Sequence, residues 1–195
     1  MIRMKWLAPL VAAGLVALGG TAQAGLLPTG VTVLSEGDNW RWQYAIVLPT
    51  DSQLKTGDYF TIYDFNGFVD GSAAAPSADW VFTTSMVGPT PPNVVPSDDP
   101  TKPNLSWKYT GPTINVGQTG LGNFMATSLY QDRVDSFFTA RTHRSSDGKA
   151  DTNITTTDVP VPGGGLQAPE PATLLLAGLG LPLLGLARLR KKKPE

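Results

Sequence analysis

Asn39-Trp40-Arg41-Trp42-Gln43-Tyr44-Ala45-Ile46-Val47-Leu48 is the stretch that decides the fold class. Trp40, Trp42, Tyr44, Ile46 and Leu48 fall on one side of an extended chain, and Arg41, Gln43, Ala45 and Val47 on the other. Successive side chains of a strand point to opposite faces, so this alternation predicts a β-strand with one buried face. Outward from it the same period recurs, with frequent punctuation. Gly30 to Leu34 precedes it, and Asp58 to Phe65 follows a loop over Pro49 to Gly57. Asn66-Gly67 reads as a turn and Asp70 to Ser77 as a small, polar connection. Trp80 to Val87, Leu105 to Thr110, Asn123 to Tyr130 and Asp135 to His143 complete about seven strands. Gly88 to Pro103 holds six prolines in 16 residues, too many to donate into a sheet ladder, and reads as a long ordered loop.

Seven short strands without helical periodicity between them predict an all-β fold, a single β-sandwich of antiparallel strands over residues 25–144. The chain has no cysteine, so a Cys-Trp-Cys immunoglobulin core is excluded and the fold depends on its apolar core alone. Residues 145–168 lose apolar density and end in Val159-Pro160-Val161-Pro162-Gly163-Gly164-Gly165, which reads as a semi-flexible Pro/Gly stalk.

Both ends carry targeting signals. Arg3 and Lys5, the apolar run Leu7 to Gly19 and Ala22-Gln23-Ala24 make a charged region, a hydrophobic region and an A-x-A site. Together they predict a signal peptide over residues 1–24, cleaved after Ala24. At the other end, residues 169–195 open with Pro169-Glu170-Pro171. Ala172 to Leu189 then gives 18 residues interrupted only by Arg188, about 27 Å of helix against a hydrocarbon core of ~30 Å. A transmembrane helix is expected there, kinked at Pro182 but internally bonded. Arg188, Arg190, Lys191, Lys192 and Lys193 would hold its C-terminus in the cytoplasm.

In its ordered trio of Pro-Glu-Pro, short Leu/Gly-rich helix and terminal basic cluster, behind a signal peptide, the chain resembles the PEP-CTERM protein-sorting class of Gram-negative bacteria. The resemblance implies processing at the tail by exosortase, a membrane-embedded transpeptidase-like enzyme, and a setting of exopolysaccharide production. The trailing Pro194-Glu195 departs from the pattern. Within that class, Gly57 to Phe65 and Pro103 to Gly111 resemble a recurrent exported domain without an assigned activity. The physical logic parallels a GPI signal, whose hydrophobic tail is removed from the mature protein.

Residues 25–168 carry 8 Lys and Arg against 14 Asp and Glu, so 8 − 14 gives a net charge of −6. That balance argues against nucleic acid and anionic membrane surfaces as partners. His143 is the sole histidine, so Cys-His nucleophiles and three-histidine zinc sites are impossible, and a serine triad would have to use His143. No phosphate loop, dinucleotide fingerprint or nucleophile elbow occurs, and no cofactor is expected. Asp64-Phe65-Asn66-Gly67 with Asp70, and Asp98-Asp99, place oxygens where calcium could bind. Neither has EF-hand spacing, and ordinary Asx turns explain them better, so no metal is expected. The sequons Asn104-Leu105-Ser106 and Asn153-Ile154-Thr155 are short enough to arise by chance.

The sequence thus predicts a non-enzymatic exported component of the cell surface or a biofilm matrix, with exosortase as its processing partner. Its tail would sit in the membrane through residues 172–189 until processed. One alternative is a carbohydrate-binding module, in which Trp40, Trp42 and Tyr44 stack on sugar rings of an exopolysaccharide; the same row is what a sandwich core needs. A secreted glycoside hydrolase using paired aspartates is a third.

Overall fold

A computed structural model describes residues 25–115 and 117–163. Nine strands form there: β1 Leu27–Glu36, β2 Asn39–Leu48, β3 Ser52–Gln53, β4 Tyr59–Ile62, β5 Trp80–Ser85, β6 Asn104–Tyr109, β7 Thr119–Ser128, β8 Asp132–Arg144 and β9 Ala150–Val161. All pairings between them are antiparallel. One sheet runs β1-β2-β7. The other runs β3-β8-β4-β6-β5, with β9 also on β8. The arrangement is a two-sheet sandwich, as the alternation predicts.

The alternating residues of β2 do what the pattern requires. Trp42, Tyr44, Ile46 and Leu48 are buried, while Arg41, Gln43, Ala45 and Val47 lie on the half-buried outer face. The facing sheet contributes Phe60 and Ile62 from β4, Leu105, Trp107 and Tyr109 from β6, and Phe138 and Ala140 from β8. Phe60 sits at the centre. Its ring stacks on Trp107 (5.3 Å) and on Phe138 (5.4 Å), and meets Phe124 of β7 edge-on at 4.8 Å. Strands of both sheets therefore converge on one ring.

Two strands go beyond the expected seven, and β9 corrects the expected stalk. Residues 150–161 pair with β8 along its whole length, from His143↔Ala150 to Asp132↔Val161. The strand is hard to see in sequence because its inward positions include Asn153 and Thr157, both buried. Hydrogen bonds around Asn153 and Asp158 tie this strand down. Asn153 Nδ2 donates to Leu26 O (2.9 Å), Tyr44 Oη to Asp158 O (3.0 Å), and Arg133 bonds both Asp158 and Val31 O. Pro160 is accommodated because β9 has β8 on one side only among the described residues, so its missing N–H falls on an edge. The other addition, β3, lies inside the expected Pro49–Gly57 loop and pairs with Arg144 and His143 of β8.

The six-proline segment forms no strand and is pinned to the outer face of β4. Thr61 Oγ1 and Tyr63 Oη each donate to Pro89 O (3.0 Å), and Gly88 N donates to Asp98 Oδ2 (2.9 Å). The Asn66-Gly67 turn requires its glycine: φ is 65°, and a Cβ there would lie 2.8 Å from the Tyr130 ring.

Trp42 is fully buried, its Nε1 bonded to Tyr130 O (3.0 Å). We expect Trp42→Ala to lower stability by ~3–5 kcal/mol, a large share of the ~5–15 kcal/mol that holds such a domain folded. Thermal melting of the variant beside the wild type measures it, and an unchanged midpoint would contradict a core position.

Candidate functional site

The sorting residues Pro169, Glu170 and Pro171, the helix 172–189, the basic residues Arg188, Arg190, Lys191, Lys192 and Lys193, and the cleavage residues Ala22 and Ala24 lie outside the described residues. What the fold supplies is the point of departure toward the tail. The chain leaves β9 at Val161, opposite Asp132 at the start of β8.

The aromatic row expected either to pack or to stack on sugars is divided. Trp42 and Tyr44 are wholly enclosed, and burial raises the Tyr44 phenol well above its ordinary pKa. Only Trp40 keeps partial exposure, and it packs against the edge of the core. A platform built from this row would need its rings to face solvent side by side. Trp40-Trp42-Tyr44 does not present them.

The acidic loops are knotted to backbone donors. Asp64, at φ 59°, accepts from Asp99 N (2.9 Å) and from Ser136 Oγ (3.3 Å). Asp98 accepts from Gly88 N and from Asn104 Nδ2 (2.8 Å), and Asn104 Oδ1 in turn accepts from Asp64 N (2.9 Å). Asp99 is held down to about 2 by the Thr101 hydroxyl, then by Lys102, then by Thr101 N. These carboxylates staple the proline-rich loop to the end of β4, which is the Asx-turn use of aspartate. Among the described residues no group of three metal-ligating side chains forms. Both sequon asparagines, Asn104 and Asn153, are fully buried with their amide nitrogens engaged.

His143 Nδ1 lies 3.0 Å from Asp58 Oδ2, which also accepts from Lys55 N (2.8 Å). Burial pushes the Asp58 carboxyl above the usual carboxylate range, against the Lys55 amide and His143, which pull it down. This is two-thirds of a hydrolase triad, yet no serine or threonine hydroxyl is bonded to the imidazole among the described residues. The pair therefore anchors β8 to the turn before β4.

Two surface grooves differ in how their polar groups are spent. The first, about 420 Å³, lies over the outer face of β2 and β7. Its polar groups satisfy one another: Glu36 pairs with Arg41 and accepts from Thr127 Oγ1 (3.1 Å), while Ser72 Oγ bonds Val69 O and Thr127 N. The second, about 320 Å³, is lined by Tyr59, Pro92, Asn93, Arg141, Ala150, Asp151 and Thr152. Register builds it, since Tyr59 stands opposite Arg141, and Arg141 opposite Thr152, across β4, β8 and β9. Lys108 of β6 extends the row on the far side of Tyr59. The side chains of Tyr59, Asn93, Lys108, Arg141 and Thr152 make no hydrogen bond or ion pair among the described residues, while the Arg141 charge acts on Asp58 and Tyr59 and pulls both pKa values down. Asn93, at φ 65°, forms the lip on the proline-rich loop. Sequence reading missed this groove because its members are 93 positions apart and no local motif unites them.

Compared with known protein families, residues 167–192 match the model described as the PEP-CTERM protein-sorting motif. No curated protein matches the chain. The chain thus carries this motif at the tail, and five residues, 162–166, separate it from the end of β9.

Proposed function

We propose that the chain is an exported precursor whose PEP-CTERM tail is recognised and processed by exosortase, leaving a non-enzymatic β-sandwich at the cell surface or in the extracellular matrix. The observation that carries this reading is the motif match at residues 167–192. Its sequence context supports it: a signal peptide with A-x-A before Gly25, and an apolar segment 172–189 backed by Arg188, Arg190, Lys191, Lys192 and Lys193. In the membrane intermediate the tail's C-terminus is cytoplasmic and the sandwich lies outside. From Val161 to Pro169 the chain can reach at most about 29 Å, so the sandwich is held near the point of processing. The non-enzymatic reading accords with the use of Asp64, Asp98 and Asp99 as loop staples and of Asp58 with His143 as a strand anchor.

Mass spectrometry of the mature protein is expected to find Gly25 at the N-terminus and no sequence beyond about Pro171. An intact peptide covering Leu174 to Lys193 in the bulk of the surface-localised protein would contradict processing.

A carbohydrate-binding reading is favoured by one observation, the unpaired row Lys108, Tyr59, Arg141, Thr152 beside a proline wall. A ring flanked by two cations outside any ion pair, with several hydrogen-bonding groups left open, suits an anionic saccharide chain lying across the strands. In affinity electrophoresis of the full chain in detergent, polygalacturonate should retard the wild type. Tyr59→Ala with Arg141→Gln should weaken retardation about tenfold. Absence of retardation in the wild type refutes this second reading and leaves the first intact.

A further inference from the structure

Asn153 Oδ1 is a buried acceptor without a hydrogen-bond partner. Its amide orientation is fixed from the other side, because Nδ2 donates to Leu26 O at 2.9 Å. The group that crowds the free oxygen is the backbone of Gly25: a Cβ on that residue would stand 2.3 Å from Oδ1 and 2.5 Å from Cγ of Asn153. Gly25 is also the residue after Ala22-Gln23-Ala24. In the unprocessed chain its nitrogen is an amide with a single N–H, and Oδ1 has no hydrogen-bond partner.

We infer that Asn153 Oδ1 is a receptor for the α-amino group that cleavage creates at Gly25. Hydrolysis adds water across the Ala24–Gly25 bond, leaving a carboxylate on Ala24 and an amine on Gly25. The amine rotates freely about its bond to Cα and offers several N–H directions, and its nitrogen is bonded to the same Cα from which a Cβ would meet Oδ1. In the cleaved form one of these N–H groups is assigned to the acceptor that the precursor leaves orphaned. A buried unpaired acceptor destabilises a fold, so processing tightens the sandwich where its first residue meets its last strand. Only glycine fits at position 25, since any side chain would displace Asn153. The inference rests on cleavage after Ala24.

The test uses two preparations of the full chain in detergent, with termini fixed chemically so that the result does not depend on cleavage in the cell. One begins with a free Gly25 amine. The other retains Ala22-Gln23-Ala24. The free form should melt on the order of 3–6 °C higher. In Asn153→Ala that gap should vanish, and in Asn153→Asp it should widen, because a carboxylate bonds an ammonium more strongly. Equal melting of the two wild-type forms overturns the inference. So does a gap that persists in Asn153→Ala, or one that fails to widen in Asn153→Asp. N-terminal sequencing of the exported protein separately reports whether Gly25 is the natural terminus.

Discussion

The packing of Phe60 is the contact on which the rest of the structure depends. Its strand lies between β6 and β8, and its ring stacks on Trp107 and Phe138 within its own sheet while meeting Phe124 of the other edge-on. Trp80 joins from the edge strand at 5.8 Å. Aromatic pairs of this geometry contribute about 0.5–1.5 kcal/mol each beyond the area they bury. In a chain without a cysteine, that cluster does the work that disulfides do in many exported domains. It also accounts for the period-two pattern, since each contributing strand must deliver its rings to one side.

That dependence explains which parts of the fold were legible. The β2 strand was readable to the residue because five large apolar side chains alternate with smaller or polar ones, and its observed bounds are Asn39 and Leu48. The proline count marked the loop over 88–103 for an equally local reason. β9 was not readable, because among its inward positions only Val159 joins the hydrophobic core, and the buried Asn153 and Thr157 look like linker residues. The partners of Asn153 and Asp158, namely Leu26, Tyr44 and Arg133, lie 25 or more positions away in sequence. The groove at Tyr59 was hidden for a related reason. Alternation shows that Tyr59 and Arg141 point away from a core, but only the register of β4 on β8 makes them neighbours. The sorting motif, by contrast, was legible from sequence alone, since its residues are contiguous and its match at 167–192 does not depend on the fold.

Joining the two halves changes the picture of how the domain is presented. A stalk over residues 145–168 would let the sandwich swing freely. With residues 150–161 built into the sheet, the strand that crosses the full length of β8 is itself the lead to the sorting motif. Bonds from Asn153 to Leu26 and from Tyr44 to Asp158 tie that strand to the facing layer. The sandwich's first residue lies against the same strand.

The central claim, that the segment before the sorting motif is a structural strand, is tested most directly by amide hydrogen exchange on the folded protein. Amides of residues 152–159 that face β8 should exchange as slowly as those of Phe60 and Thr61 in β4, through global unfolding. Exchange of those amides within seconds, as for an unpaired linker, would contradict it.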